Sequence, residues 1–289
     1  MAFWNRRKKQ APPPSVPPSF PTVEPVSSPP PPSEPPKRLL SYQVANLQGV
    51  GTRPRQEDGF AFVNAMDVAE MKRSGLLAIV ADGMGGMRDG RVASQTAISV
   101  MKAGFQALDR SGSIPEQLEE SVIQAGREVY RTLGGDGGST AVVCLFYNEQ
   151  LYFTSVGDSG LYLLREGTLL RLNLEHNVRN ERFLETIRQG SMDPEIARED
   201  PEAAALTQFL GMGGAVRADS LRRPMHLHDG DLLLLCSDGV DGTLTEAQML
   251  ACLGEASPEA MCQALERAIL EENRQYQDNY TALIVRCGY

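Results

Sequence analysis

No Cys-x-x-Cys pair occurs among the five cysteines of this 289-residue chain, and their number is odd. Neither a disulfide framework nor a thiolate zinc site is therefore spelled out, and a reducing compartment is expected. Cys144 and Cys236 lie inside apolar runs and read as buried core thiols, since a free cysteine packs as a small hydrophobe; Cys252, Cys262 and Cys287 are scattered. No run approaches the roughly 18 consecutive apolar residues that a transmembrane helix needs. The cluster Arg6-Arg7-Lys8-Lys9 is followed by prolines where a secretory signal would place an apolar core, so a cytoplasmic location is expected. A basic face is missing too: 28 Lys and Arg against 37 Asp and Glu leave a net charge of −9. That excludes broad nucleic-acid binding. It leaves anionic substrates open, because bound cations reverse the sign of a local site. Internal repeats are absent.

What is present divides in two. Residues 1 to 38 hold most of the 19 prolines, in runs such as Pro12-Pro13-Pro14. Without backbone donors or large apolar side chains this stretch is expected to be an extended or disordered tail. It reads first as a spacer, with a ligand for a proline-recognising partner or a weak membrane-surface foot as sharper alternatives. From residue 41 to 289 the pattern is that of one α/β domain of ample size for a core. Apolar strands are read at 76–81, 140–146, 151–156, 161–164, 232–236 and 280–285. Asn148-Glu149-Gln150 and Glu166-Gly167 read as hairpin connections, so the pairing is antiparallel. Helices are read over 93–108 and 115–133, the second with Leu118, Val122, Ala125 and Val129 on one face. A capping box at Thr245 and Gln248 opens another, and a last one spans 258–273. Sheets in the middle with helices outside follow from this.

The informative feature is where carboxylates fall. Asp82 closes an apolar strand and precedes Gly83-Met84-Gly85-Gly86. Asp158 and Asp238 end two more strands, Asp278 precedes the last one, and Glu57-Asp58 precedes Gly59-Phe60-Ala61-Phe62-Val63. Alone, each is an ordinary turn former or helix cap. Converging on one edge, they repel one another and are driven toward protonation unless divalent cations intervene. An all-oxygen donor set favours Mg²⁺ or Mn²⁺ over Zn²⁺. Two such ions about 4 Å apart activate a water and clamp an in-line displacement at phosphorus.

In their order and flanking residues these segments resemble the type 2C metal-dependent serine/threonine protein phosphatases. They are Gly51-Thr52-Arg53 with Glu57-Asp58, Val80 through Gly86, Gly138-Ser139-Thr140-Ala141, Val156-Gly157-Asp158-Ser159, Gly230-Asp231 through Ser237-Asp238-Gly239, and Asp278-Asn279-Tyr280-Thr281. The resemblance implies an α-β-β-α sandwich of two central antiparallel sheets flanked by helices. It implies two Mn²⁺ or Mg²⁺ ions, with Asp82 bridging both and the Gly83 carbonyl on the first. Asp238 and Asp278 are then ligands of the second ion, Glu57 and Asp58 contribute directly or through water, and Asp158 serves a weaker third ion. Arg53 grips the substrate phosphate, as a guanidinium fork suits two phosphoryl oxygens. The expected partners are phosphorylated proteins, with a serine/threonine kinase acting in opposition.

Asp241 reads as a turn or cap residue beyond the strand, and Asn279 as a hydrogen-bonding support for Asp278. Two departures from the family pattern stand out. Met84 replaces the histidine of eukaryotic members, which points to a bacterial type and assigns leaving-group protonation to water. Gly160 stands where the family has arginine after Asp-Ser, which bears on substrate positioning. His226 and His228 read as one face of a partly exposed strand, and His176 as the start of a polar stretch reaching to about residue 203, the flap beside the active site by resemblance. Two competing readings are a pseudophosphatase that binds phosphoproteins without catalysis and a regulatory module of a signalling or secretion assembly.

Overall fold

The computed structural model describes residues 39–84, 89–190 and 201–289. The proline-rich tail, Gly85 and Gly86 of the turn after Asp82, and part of the polar stretch lie outside these residues. Among the described residues one sheet has five strands in the order β1 (Ser41–Gly49), β11 (Tyr280–Gly288), β10 (Leu232–Cys236), β6 (Gly160–Arg165), β7 (Thr168–Arg171). The other has six, five of them in the order β2 (Gly59–Val63), β3 (Leu76–Ala81), β4 (Ala141–Tyr147), β5 (Gln150–Val156), β8 (Asp219–Ser220), with β9 (Met225–His226) also on β5. Every pairing is antiparallel.

Three apolar layers follow from strand alternation, because successive side chains point to opposite faces. Ala78 and Val80 of β3, Cys144 and Phe146 of β4, Leu233 and Leu235 of β10, and Leu283 and Val285 of β11 pack between the two sheets. The alternate positions Leu77, Ile79, Val143 and Leu145 pack outward against α2 (Gly90–Ala107) and α3 (Ile114–Leu133). On the other side Leu234, Cys236, Ala282 and Ile284 meet α6 (Glu246–Cys252) and α7 (Pro258–Glu271). Covering both faces of each sheet explains why antiparallel strands here read as continuous apolar runs instead of alternating ones. The expected sandwich is the observed fold.

Local signals agree with it. Leu118, Val122, Ala125 and Val129 form the buried face of α3, which ends at Gly134 in the left-handed region, φ 63°. The Thr245–Gln248 capping box is complete in both directions. Asn148 and Glu149 have φ of 51° and 60° between the paired residues Tyr147 and Gln150. Two successive positive φ values are what a tight right-twisted hairpin demands. Additional elements are α1 (Val68–Ser74), α4 (Val178–Arg188) and the single turn α5 (Asp238–Asp241). Leu234 is fully buried at the centre of β10. Leu234→Ala is expected to lower stability by about 2–5 kcal/mol, read as a lower denaturation midpoint at unchanged slope.

Candidate metal centre

Antiparallel register places the start of one strand beside the end of the next. Gly59, opening β2, pairs with Ala81, closing β3. Ala141, opening β4, pairs with Val156, closing β5. Cys236, closing β10, lies between Ala282 near the start of β11 and Gly160 at the start of β6. Residues just outside these pairs therefore emerge on one rim. There Arg53, Glu57, Asp82, Gly83, Asp158, Asp238 and Asp278 line a cleft of about 400 Å³. Asp58 lies beneath them, 6% exposed. Of the residues singled out from the sequence for the site, all but Asp58 line this cleft, and Asp58 is buried beside Asp82.

The loops carrying these side chains are braced from below. Asp58 Oδ2 accepts from Ser237 Oγ at 2.7 Å and Thr281 Oγ1 at 2.8 Å, which joins the two sheets under the cleft. The Asp82 amide donates to Thr140 Oγ1 at 3.0 Å and Thr140 N returns a bond to the Asp82 carbonyl at 2.8 Å. Gly83 has no room for a side chain: a Cβ there would collide with the carbonyl oxygens of Gly90 and Glu57. Its glycine therefore serves backbone packing of α2 against the Glu57 loop. Asn279 backs up Asp278 through its backbone N–H, 2.8 Å from Asp278 Oδ1. Its side chain does more, receiving the Glu57 amide at 2.7 Å and donating to the Val50 and Arg55 carbonyls at 2.9 and 3.0 Å. Arg53, half exposed, ion-pairs with Asp278 at 2.5 Å.

Electrostatically the rim is under tension. Burial lifts the Asp82 pKa well above the usual carboxylate range, and the charges of Asp58, Asp238 and Asp158 push it further. Burial pushes Asp58 up to about 6 against the pull of Ser237 and Thr281. It pushes Asp158 up to about 7, with help from Asp238 and Asp241. Asp238 opens to the cleft, yet the protein packed around its carboxyl raises it, followed by the charge of Asp278. Among the described residues no three His, Cys, Asp or Glu side chains close on a single point; the carboxylates ring the cleft instead. The set nonetheless fits hard divalent cations. All donors are oxygens, and Asp58 Oδ1 is buried without a hydrogen-bond partner, an arrangement that a nearby cation would satisfy.

Some residues play parts that sequence reading assigned otherwise. Asp241 ends the helical turn that follows the strand, but it is more than a turn residue: its side chain is 7% exposed and bonded to Tyr162 Oη at 2.9 Å and Arg171 at 3.3 Å. Asp231, within a motif segment, sits at the far end of β10 and takes a two-pronged bond from Arg165 at 2.8 and 2.6 Å, a folding contact. His176 latches the segment after β7 to the end of β5, its Nδ1 accepting from the Gly157 amide at 3.1 Å, and burial holds its pKa below the ordinary range. His226 and His228 are both exposed, but the strand expected to carry both, β9, ends at His226.

For Asp58, Asp82, Asp158 and Asp238 the folded pKa lies above the ordinary 3.8. The folded state then holds protons more tightly than the unfolded one, so this contribution is complete below the ordinary value and lost as pH rises through the folded one. The melting temperature in chelator is expected to fall between about pH 5 and about pH 8, and the gain on adding Mn²⁺ to grow over that range.

Comparison with known proteins agrees with this geometry. The family model described as Protein phosphatase 2C matches residues 43–192. The serine/threonine phosphatase stp of Listeria innocua is 31% identical over 228 residues, spanning 75% of this chain and 87% of that protein. Among solved structures, the PPM Ser-Thr phosphatase MsPP of Mycobacterium smegmatis, in complex with cacodylate, superposes with a TM-score of 0.67 at 28% identity, covering 86% of this chain and 98% of that one. PppA, described as a key regulatory component of T6SS in Pseudomonas aeruginosa, gives 0.66 at 27% identity, covering 85% and 97%. The chain belongs to the protein phosphatase 2C family of metal-dependent serine/threonine protein phosphatases.

Proposed function

We propose that this chain hydrolyses phosphoserine and phosphothreonine in proteins at the cleft between its two sheets, in opposition to a serine/threonine kinase of the same cell. One observation carries the reading: four strand-end aspartates and Glu57 line a single cleft with the Arg53 guanidinium at its edge, and Asp58 is buried beside Asp82. In this proposal Asp82 would serve both of two Mn²⁺ or Mg²⁺ ions and the Gly83 carbonyl would serve the first. Asp238 and Asp278 serve the second, Glu57 and Asp58 contribute directly or through water, and Asp158 holds a weaker third. Bound there, the cations supply the positive charge that the rim lacks and an activated water for in-line attack at phosphorus.

The chain's own residues do the rest. Arg53 has several N–H donors and half its surface free, so it can offer a fork to the phosphoryl oxygens without leaving Asp278. Met84, Ala204, Leu206 and Phe209 supply the apolar part of the cleft wall. That wall excludes water from one flank and offers contact to the substrate chain. Met84 has no proton to give, and the leaving alkoxide takes its proton from water. Most of the acceleration then rests on positioning and charge neutralisation. Residues 41–289 form the catalytic domain in this reading. Residues 1–38 act as a tether, either a plain spacer or a segment docking on a proline-recognising partner. No described helix is long and apolar enough to cross a membrane, and the proposed site of action is the cytoplasm.

The test is phosphate release from a phosphothreonine peptide with Mn²⁺, Mg²⁺ and chelator compared. Release is expected with either metal and none with chelator. Asp82→Asn is expected to reduce turnover at least about a thousandfold, some 4 kcal/mol of barrier, with the fold intact by circular dichroism. Full activity in that variant would refute the assignment. Arg53→Ala is expected to lower kcat/KM by about 10- to 100-fold, the value of a lost charge-assisted hydrogen bond, mainly through KM.

A further inference from the structure

The arginine that the family places after Asp-Ser is absent here, and the structure leaves no room for one. A Cβ at Gly160 would lie 2.5 Å from both Asp241 Oδ2 and Tyr162 Cε2. A guanidinium reaches Asp158 all the same, from a different strand. Arg171 closes β7 and pairs in register with Tyr162 of β6. Its Nη2 donates to the Asp158 carbonyl at 2.6 Å. Its Nη1 faces Glu175 Oε1 at 2.7 Å, Tyr162 Oη at 3.2 Å and Asp241 Oδ2 at 3.3 Å. The guanidinium carbon lies 5.4 Å from the Tyr162 ring centroid, and the side chain is only 21% exposed.

The contacts continue in two directions. Asp241 ends the short helix α5 that Asp238 begins, so Arg171 holds Asp158 by its backbone and the Asp238 turn by its far end. Glu175 passes the restraint the other way. Its Oε2 accepts from Asn177 Nδ2 at 2.9 Å, and Asn177 bridges to Leu206 of the cleft wall. The neighbouring backbone bonds, Val178 N to Ala205 O at 3.0 Å and Thr207 N to His176 O at 2.8 Å, fasten that wall along its length.

We propose that Arg171 is a positioning residue for the phosphatase reaction, fixing Asp158 against the Asp238 turn and tying both to the Ala204–Leu206 wall through Glu175. The proposal rests on the phosphatase reading above. Arg171 touches no substrate; it acts through the groups that do. A lysine cannot replace it, since one ammonium cannot reach acceptors spread over Asp158, Asp241 and Glu175 while stacking on Tyr162.

The test compares the wild type with Arg171→Gln, Arg171→Lys and Glu175→Gln. Mn²⁺ binding is measured by calorimetry, and kcat and KM are measured separately on a phosphothreonine peptide. Misplacing a reacting group by a fraction of an ångström is felt strongly, so Arg171→Gln and Arg171→Lys are each expected to weaken Mn²⁺ binding about fivefold or more and lower kcat about tenfold or more. Glu175→Gln leaves the Asp158 contact in place. It is expected to raise the peptide KM about fivefold, with Mn²⁺ affinity within about twofold of wild type. A merely structural arginine would shift the melting temperature and leave these constants alone. Arg171 variants that bind Mn²⁺ and turn over peptide like the wild type would overturn the proposal. So would a folded Glu175→Gln with an unchanged KM, which keeps the test decisive if the Arg171 variants fail to fold. A wild type that releases no phosphate would instead sink the phosphatase reading itself.

Discussion

Like charges brought together away from bulk water are unfavourable, and this protein gathers Asp82, Asp158, Asp238 and Asp278 at one cleft with Asp58 buried beside Asp82. Burial and mutual repulsion each favour the protonated acid. A fold can hold such a set only if its backbone leaves the side chains little choice of position. The antiparallel register does this by setting strand starts against strand ends, Gly59 on Ala81 and Cys236 on Ala282. Two sheets packed through a continuous apolar layer then hold the two groups of ends face to face.

The bracing is made of neutral donors and backbone contacts more than of ion pairs. Ser237 and Thr281 hold Asp58, Thr140 holds the Asp82 amide, and Asn279 gathers the loop from Val50 to Glu57. Hydroxyls and amides fix direction without neutralising charge. The rim therefore stays electronegative and keeps its attraction for cations. Arg53 at the edge, paired with Asp278, and Arg171 behind Asp158, shared among several acceptors, are the exceptions. Close backbone approach completes the design, since a Cβ at Gly239 would run into the Asn279 carbonyl, just as one at Gly83 meets Gly90 and Glu57.

How much of this can be read from the chain depends on which physical signal a residue carries. The central strands β3, β4 and β10 are apolar without interruption because both faces are covered, and so they are legible. The edge strand β1 is not, because its Ser-Tyr-Gln-Val-Ala-Asn-Leu-Gln-Gly pattern buries only Leu47 fully. The short helices α1 and α4 carry no buried residue and leave little hydrophobic period to detect. Within the site, most of the carboxylates are conspicuous because they bound an apolar strand next to glycine, as Asp58, Asp82, Asp158 and Asp238 do. Arg171 and Asp241 are not, since Arg-Leu-Asn-Leu and Gly-Val-Asp-Gly look like ordinary surface turns. Their partners are decided by strand pairing across 70 residues, which local pattern does not encode. The Gly160 departure, read alone, bears only on substrate positioning; its neighbours Asp241 and Tyr162 occupy the space a side chain there would need.

Locating the cations directly tests the central claim. Crystals grown with Mn²⁺ and measured at the manganese absorption edge are expected to show two anomalous peaks about 4 Å apart, flanking the Asp82 carboxyl with Asp238 and Asp278 on one side. Diffraction that shows manganese elsewhere on the protein, or none within reach of Asp82, would contradict the account.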